Sequence, residues 1–239
     1  MLDSVAELGG ADGNIDDEQF QWLHGELLKA EQARQFAFVF AHHSLRTMNQ
    51  APIAGFPPGD QGGNASPLLH FGVGLDPSGP SPCLLATPAQ LPTPDETLRC
   101  LFLRHPSVVA FVVGHEHLNR IVAHERETAF GLRGGFSEIT TASHIDWPQQ
   151  SRLIELFDNR DGTLSIFGTL LDHAANPQPA LWPADGHPVS ASLLATVSRE
   201  LSYNDPDAQN DEDGEANARG QRIDRNVELL LPHPYQGSF

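Results

Sequence analysis

Phe20, Leu23, Leu27 and Leu28 recur at the spacing of one helical face, with Trp22 beside them. Asp16 or Asp17 offers an N-cap, and Asp17 and Glu18 put acidic charge in the first turn, so the pattern predicts a helix over about residues 17–33. The unbroken apolar run FAFVF (36–40) predicts a short buried strand that leads directly into Ala41, His42 and His43. A second helix is expected from Thr93-Pro94-Asp95-Glu96, with Pro94 at its first position, through Leu98, Leu101, Phe102 and Leu103 to a stop near His105-Pro106. Val108 to Val113 reads as the next buried strand, ended by Gly114, and shorter strands are expected at 119–124 and 136–141. RLIELFD and LSIFGTLLD flank Asn159-Arg160-Asp161-Gly162, where Asp-Gly signals a hairpin turn.

Helix, strand, helix, strand and then hairpin strands is the order of an α/β fold, a mixed sheet with helices against it. Residues 49–92 interrupt this order with Pro, Gly and Ser and only short apolar runs, which reads as an insertion rather than core. Gly9, Gly10, Asp12, Gly13 and Asn14 form a turn-rich loop, and Leu2 to Val5 before it reads as a strand entered midway. After Ala174 the composition changes: Pro and Ala dominate to about residue 187, a weakly amphipathic helix covers 189–203, and 205–215 carries six acids with no base. That acidic run lacks the alternating oxygen ligands of a calcium loop and reads as a solvated segment. The organisation is therefore a domain over 1–175, holding the 49–92 insertion, and an acidic, Pro/Ala-containing C-terminal extension over 176–239.

Charge narrows the partners. A formal net charge of −17, from 31 acids against 14 bases, repels nucleic acid and anionic membrane surfaces. No apolar run is long enough to span a bilayer, and MLDSVAELGG lacks the positive region and apolar core of a signal peptide. Cys83 and Cys100 allow one disulfide or two free thiols, so the compartment stays open.

Of the twelve histidines, His24, His70, His187 and His233 read as packing or surface residues. His42 directly follows a buried strand, and His115 and His117 follow another after one glycine. Ligands in open α/β sheets collect outside the carboxyl ends of strands, so two strands deliver three imidazoles to one edge. In an extended segment residues two apart point the same way, which lets His115 and His117 reach one site, and Gly114 permits a tight turn and close approach. Neutral imidazole ligates zinc, iron and related ions, so His42, His115 and His117 are the candidate metal ligands. The competing reading is a pair of hydrogen-bonded histidines at the core edge and a chance doublet.

VFAHHSL, followed farther along by VVAFVVGHEHLNRI, resembles the last two motif blocks of the calcineurin-like metallophosphoesterases. LDSVAELGGADGNIDDEQFQWLHGELL, GHEHLNRI, EITTASHIDWPQQSRLIELFDNRDGTLSIF and DRNVELL resemble, more narrowly, a bacterial group of these with long inserts, and the likeness covers residues 1 to about 175 well and the tail less specifically. It implies a metal-dependent phosphoesterase acting on phosphate mono- or diesters. It also implies a four-layer αββα sandwich carrying two divalent ions (Mn, Fe or Zn) at one edge, roughly 3.5–4 Å apart, that activate a water for in-line displacement. By position, His42 and His115 would bind one ion and His117 the other, while His43 would face substrate as a catalytic residue or serve structure. The loop holding His144 and Asp146 would border the site, with Trp147 and Pro148 packing behind it.

The chain departs from that family in one large respect. Its Asp-x-His block, the Gly-Asp block with the bridging aspartate and the Gly-Asn-His block have no counterpart: Asp172 and His173 are adjacent, Gly59-Asp60 comes too late, and neither Gly13-Asn14 nor Gly63-Asn64 precedes a histidine. In the family these blocks come earlier, so the expectation is the C-terminal half of the sandwich. Such a half would hold at most one ion, show little turnover alone and expose an apolar face. Its partners would be a phosphoester small molecule and an N-terminal half of the same protein, and relatives of this kind are often exported by the twin-arginine route. The alternatives are a non-catalytic metal-binding or interaction module that kept the fold, and a mononuclear zinc hydrolase built on the three histidines.

Overall fold

The first helix begins where the sequence places an acid with a short side chain. Asp16 accepts a hydrogen bond from Gln19 N at 2.8 Å and caps α1 (Asp17–Gln32). The helix buries Phe20, Leu23, His24 and Leu27 on one face. In this computed structural model the described residues are 1–6, 10–51, 68–78, 83, 87–126, 134–173, 190–205 and 218–236. Most of the 49–92 insertion, the Pro/Ala stretch with His187, and nearly all of the acidic run at 205–215 lie outside them.

The fold is α/β. Before α1, β1 (Ile15–Asp16) pairs antiparallel with β3 (Leu69–His70), a short strand inside the insertion. A four-stranded sheet follows, built from β2 (Ala37–Phe40), β4 (Val108–Val113), β6 (Gly135–Thr140) and β5 (Arg120–Glu125) in that order. β2, β4 and β6 run parallel and β5 antiparallel to β6. A second, antiparallel sheet holds β7 (Gln150–Asp158), β8 (Thr163–Asp172) and β9 (Val227–Pro232). β9 comes from beyond residue 175, with Leu231 in the core at 8% exposure, so the C-terminal stretch builds part of this sheet.

Alternation along the strands explains the layering. Val39, Phe111, Val113 and Phe136 turn to one side of the four-stranded sheet and pack with Phe20, Leu23, Leu27, Leu101 and Phe102 of the helices. Phe38, Val112, Ile121 and Ile139 turn to the other and pack with Ile154, Leu156, Leu164, Ile166, Leu229 and Leu231 of the second sheet. The outward side of that sheet carries Leu153, Phe157 and Leu171, each nearly half exposed.

One local expectation needs correction. The second helix, α2 (Leu98–Arg104), starts later than Pro94 because Thr97, not Thr93, caps it by accepting from Cys100 N at 3.3 Å; Thr93 instead closes a turn with Glu96. Cys83 and Cys100 form a disulfide with a Cα separation of 5.2 Å. The third helix, α3 (Ala191–Tyr203), falls on the weakly amphipathic stretch, capped by Ser190. No helix among the described residues is long and apolar enough to cross a membrane.

Candidate metal centre

The parallel ladder between β2 and β4 continues past both strands and brings the histidines together. Ala41 N donates to Val112 O at 3.2 Å and Gly114 N to His42 O at 3.0 Å, which fixes His42 beside His115. Thr141 N donates to Val113 O at 2.9 Å, so the loop after β6 arrives at the same edge. Three parallel strands thus end at one place, carrying His42 and His43, then His115 and His117, then His144 and Asp146.

His42, His43 and His115 each offer a ring nitrogen within 4.8 Å of the others. His42 Nε2 and His115 Nδ1 stand 3.2 Å apart. Two ligands of a tetrahedral ion at zinc–imidazole bond lengths are separated by about 3.3 Å, so this pair fits one ion. Burial holds the His42 ring below the ordinary imidazole pKa, and His115 and His117 nearby push the same way. A neutral ring near pH 7 is the form that ligates.

His43 is placed differently. It is 4% exposed, while His42 is exposed, because successive side chains leave the chain on opposite sides. His43 Nε2 donates to the Ala11 carbonyl at 3.1 Å, since a carbonyl only accepts, and Nδ1 then accepts from Ser4 Oγ at 2.8 Å. Burial also lowers its pKa, offset in part by the Ala11 hydrogen bond. Using His43 as a ligand would break one of these two bonds.

His117 lies outside the three-histidine group and pairs through Nδ1 with Asp146 Oδ2. The extended geometry expected for Gly-His-Glu-His does not occur: His115 has φ 67° and His117 φ 53°. Glu116 N donates to Gly114 O at 2.8 Å, closing a three-residue turn around His115. Non-glycine residues in the left-handed region are uncommon and cluster at functional sites. Gly114 is not where the turn needs a glycine, since among the described residues a Cβ there would meet only His42 O at 3.9 Å. Glu116 pins the turn by pairing with Arg120 at 2.5 Å and Arg46 at 3.8 Å.

Two residues at the site were not singled out from the sequence as chemistry. Asp12 Oδ1 lies 3.7 Å from His115 Nε2, the nitrogen opposite the one that faces His42. Ser4 holds His43. Asp12 sits in the turn-rich loop and Ser4 in the Leu2–Val5 segment read as a strand, and neither pattern signals chemistry. His144 is turned away from the cluster, its Nε2 against Ser151 Oγ at 2.5 Å.

No model of a known protein family matches this sequence, and no curated protein matches it.

Proposed function

We propose that this chain carries part of the metal site of a calcineurin-like metallophosphoesterase, acting on phosphate mono- or diesters. The single observation that carries the reading is the 3.2 Å approach of His42 Nε2 to His115 Nδ1 at the carboxyl ends of adjacent parallel strands. Divalent Mn, Fe or Zn bound there would supply Lewis acidity and a water ionised near neutral pH. The chain's own part is to present imidazole nitrogens: His42 and His115 toward one ion, and His117, paired with Asp146, beside them. His43, hydrogen-bonded at both ring nitrogens, holds the N-terminal loop against this edge rather than touching substrate.

Among the described residues the three-histidine group has no carboxylate member, and imidazoles, which bring no negative charge, do not by themselves hold two dications close together. A segment or partner chain bringing Asp-x-His, Gly-Asp and Gly-Asn-His blocks would provide the anionic ligands. β2, whose AFVF is apolar on both faces like an interior strand, lies at an edge of the four-stranded sheet, where Leu2 N already donates to Phe40 O at 2.7 Å, so such a segment would have to extend or replace that contact. The same lack of carboxylates favours, as a second reading, a mononuclear metal-binding module without turnover. The Cys83–Cys100 disulfide fits an oxidising compartment and so an exported protein.

Ion content of the purified chain after reconstitution with Mn, Fe or Zn tests this directly. One ion per chain, lost in His42→Ala and His115→Ala, is expected, with aryl phosphate hydrolysis appearing only when the complementary segment is added. Ion binding indifferent to both substitutions would remove the site.

A further inference from the structure

The turn that follows β6 is built to hold one carboxylate. Gln149 N donates to Asp146 O at 2.8 Å, and Gln149, only 6% exposed with φ 58°, ties the turn down. Its side-chain amide donates to Ser198 Oγ of α3 at 2.9 Å and to Ile145 O at 3.3 Å, while His173 bonds its oxygen at 2.9 Å. Trp147 packs edge-on against Tyr203 of α3, ring centroids 4.9 Å apart. Asp146 therefore sits on a braced turn, and what it reaches is His117 Nδ1.

A carboxylate only accepts, so the nitrogen it meets must carry the proton. We infer that Asp146 is a positioning residue for His117, fixing the Nδ1–H tautomer and leaving Nε2 as the atom presented at the metal edge. Histidines that ligate metals characteristically donate their other ring N–H to a carboxylate or carbonyl, which sets ring orientation and raises basicity. Asp12 stands in the same relation to His115, on the nitrogen opposite His42, although at the longer distance of 3.7 Å. The bracing by α3 gives that helix a reason to pack where it does: it supports the turn that supports Asp146. The inference rests on the metal reading for its purpose but not for its geometry.

The test uses the full chain labelled with nitrogen-15 and compares wild type, Asp146→Ala, Asp146→Asn and His117→Ala. Long-range nitrogen–proton correlations at about pH 8, where an ordinary imidazole is neutral, report which ring nitrogen holds the proton. The wild type is expected to show His117 with the proton on Nδ1. Asp146→Ala should lose that preference, and Asp146→Asn should keep it because an amide oxygen still accepts. Zn2+ affinity should fall about tenfold to a hundredfold in Asp146→Ala and recover in Asp146→Asn, with the unfolding midpoint unchanged. A wild-type His117 protonated on Nε2, or a tautomer indifferent to Asp146→Ala, overturns the inference. Zn2+ affinity that drops in His117→Ala and not in Asp146→Ala also overturns it, while leaving the metal site standing. If Zn2+ binds none of the proteins, the metal reading fails and the tautomer still decides whether Asp146 fixes this ring.

Discussion

The ring of His43 lies against Gly13 so closely that a Cβ at position 13 would stand 2.5 Å from Nδ1 and 2.4 Å from the Ser4 carbonyl oxygen. The N-terminal loop and the histidine edge are thus one packed unit, since His43 also touches His115, ring centroids 4.4 Å apart. Gly13→Ala should destabilise the protein by about 1–3 kcal/mol through overpacking and weaken metal binding at His42 and His115. Gly25 in α1 is the control: a Cβ there meets nothing within 4 Å among the described residues, and Gly25→Ala should stabilise the helix by about 0.5–1 kcal/mol. Urea unfolding of the two variants separates these outcomes, and equal effects would contradict the packing.

Glu138 is a buried carboxylate, 5% exposed, with two obligations. It accepts from Leu45 N at 2.7 Å, fixing the loop that follows His42 and His43, and pairs with His124 Nε2 at 2.8 Å. Glu138→Ala leaves Leu45 N without its acceptor in the core and should cost roughly 2–4 kcal/mol. Glu138→Gln, which keeps an acceptor oxygen for Leu45, should cost clearly less in the same unfolding assay.

Cys83–Cys100 closes a separation of 17 residues and ties the insertion to α2. Chain-entropy arguments put a loop of this size at about 3 kcal/mol. Reduction, or Cys83→Ser with Cys100→Ser, should lower the melting temperature by several degrees. A thermal scan unaffected by reductant would show that the bridge constrains nothing in the unfolded chain.

His24 sets an acid limit. Burial, with Arg104 and His105 acting in the same direction, pushes its ring down from the ordinary 6.5 to about 4. Its Nε2 is buried without a hydrogen-bond partner among the described residues, and Nδ1 faces His105 Nε2 at 3.1 Å. Above 6.5 the ring is neutral folded or unfolded and its contribution is complete. As pH falls from 6.5 toward 4 the unfolded chain takes up a proton that the fold rejects, so stability drops, by on the order of 2–3 kcal/mol. His24→Asn keeps a group near Nδ1 but does not titrate, and its stability should fall less steeply across that window. Parallel stability curves for the two proteins would assign the acid sensitivity elsewhere.

Much of the fold is legible in short stretches. FAFVF and the run Val108 to Val113 are strands because unbroken apolar runs of that length suit a strand with apolar contacts on both faces. β4 is covered on both, while along FAFVF Val39 packs toward the helices, Phe36 and Phe38 toward the second sheet, and Phe40 stays exposed. α1 matches its apolar spacing and Asp16 cap to within a residue. β9 was not expected, because VELLLP is six residues long and far from the strand it pairs with. The α2 start was misplaced because Thr93 and Thr97 both offer a cap, and only Thr97 faces the free amide of a helical turn.

Of the candidate site, sequence alone determined that His42 and His115 follow buried strands. Once those strands are parallel neighbours, their carboxyl ends share an edge and the two rings meet. Only the tertiary structure decided which member of the doublet turns inward, since one strand step reverses a side chain, and it buried His43 while leaving His42 exposed. It alone decided that His117 pairs with Asp146, that Asp12 stands behind His115, that Cys83 meets Cys100 and that Glu138 reaches Leu45. Hydrophobic spacing records how each segment is buried along its own length, whereas these contacts join residues from separate segments. Their partners are fixed by how sheets, helices and loops pack, and no local pattern carries that information.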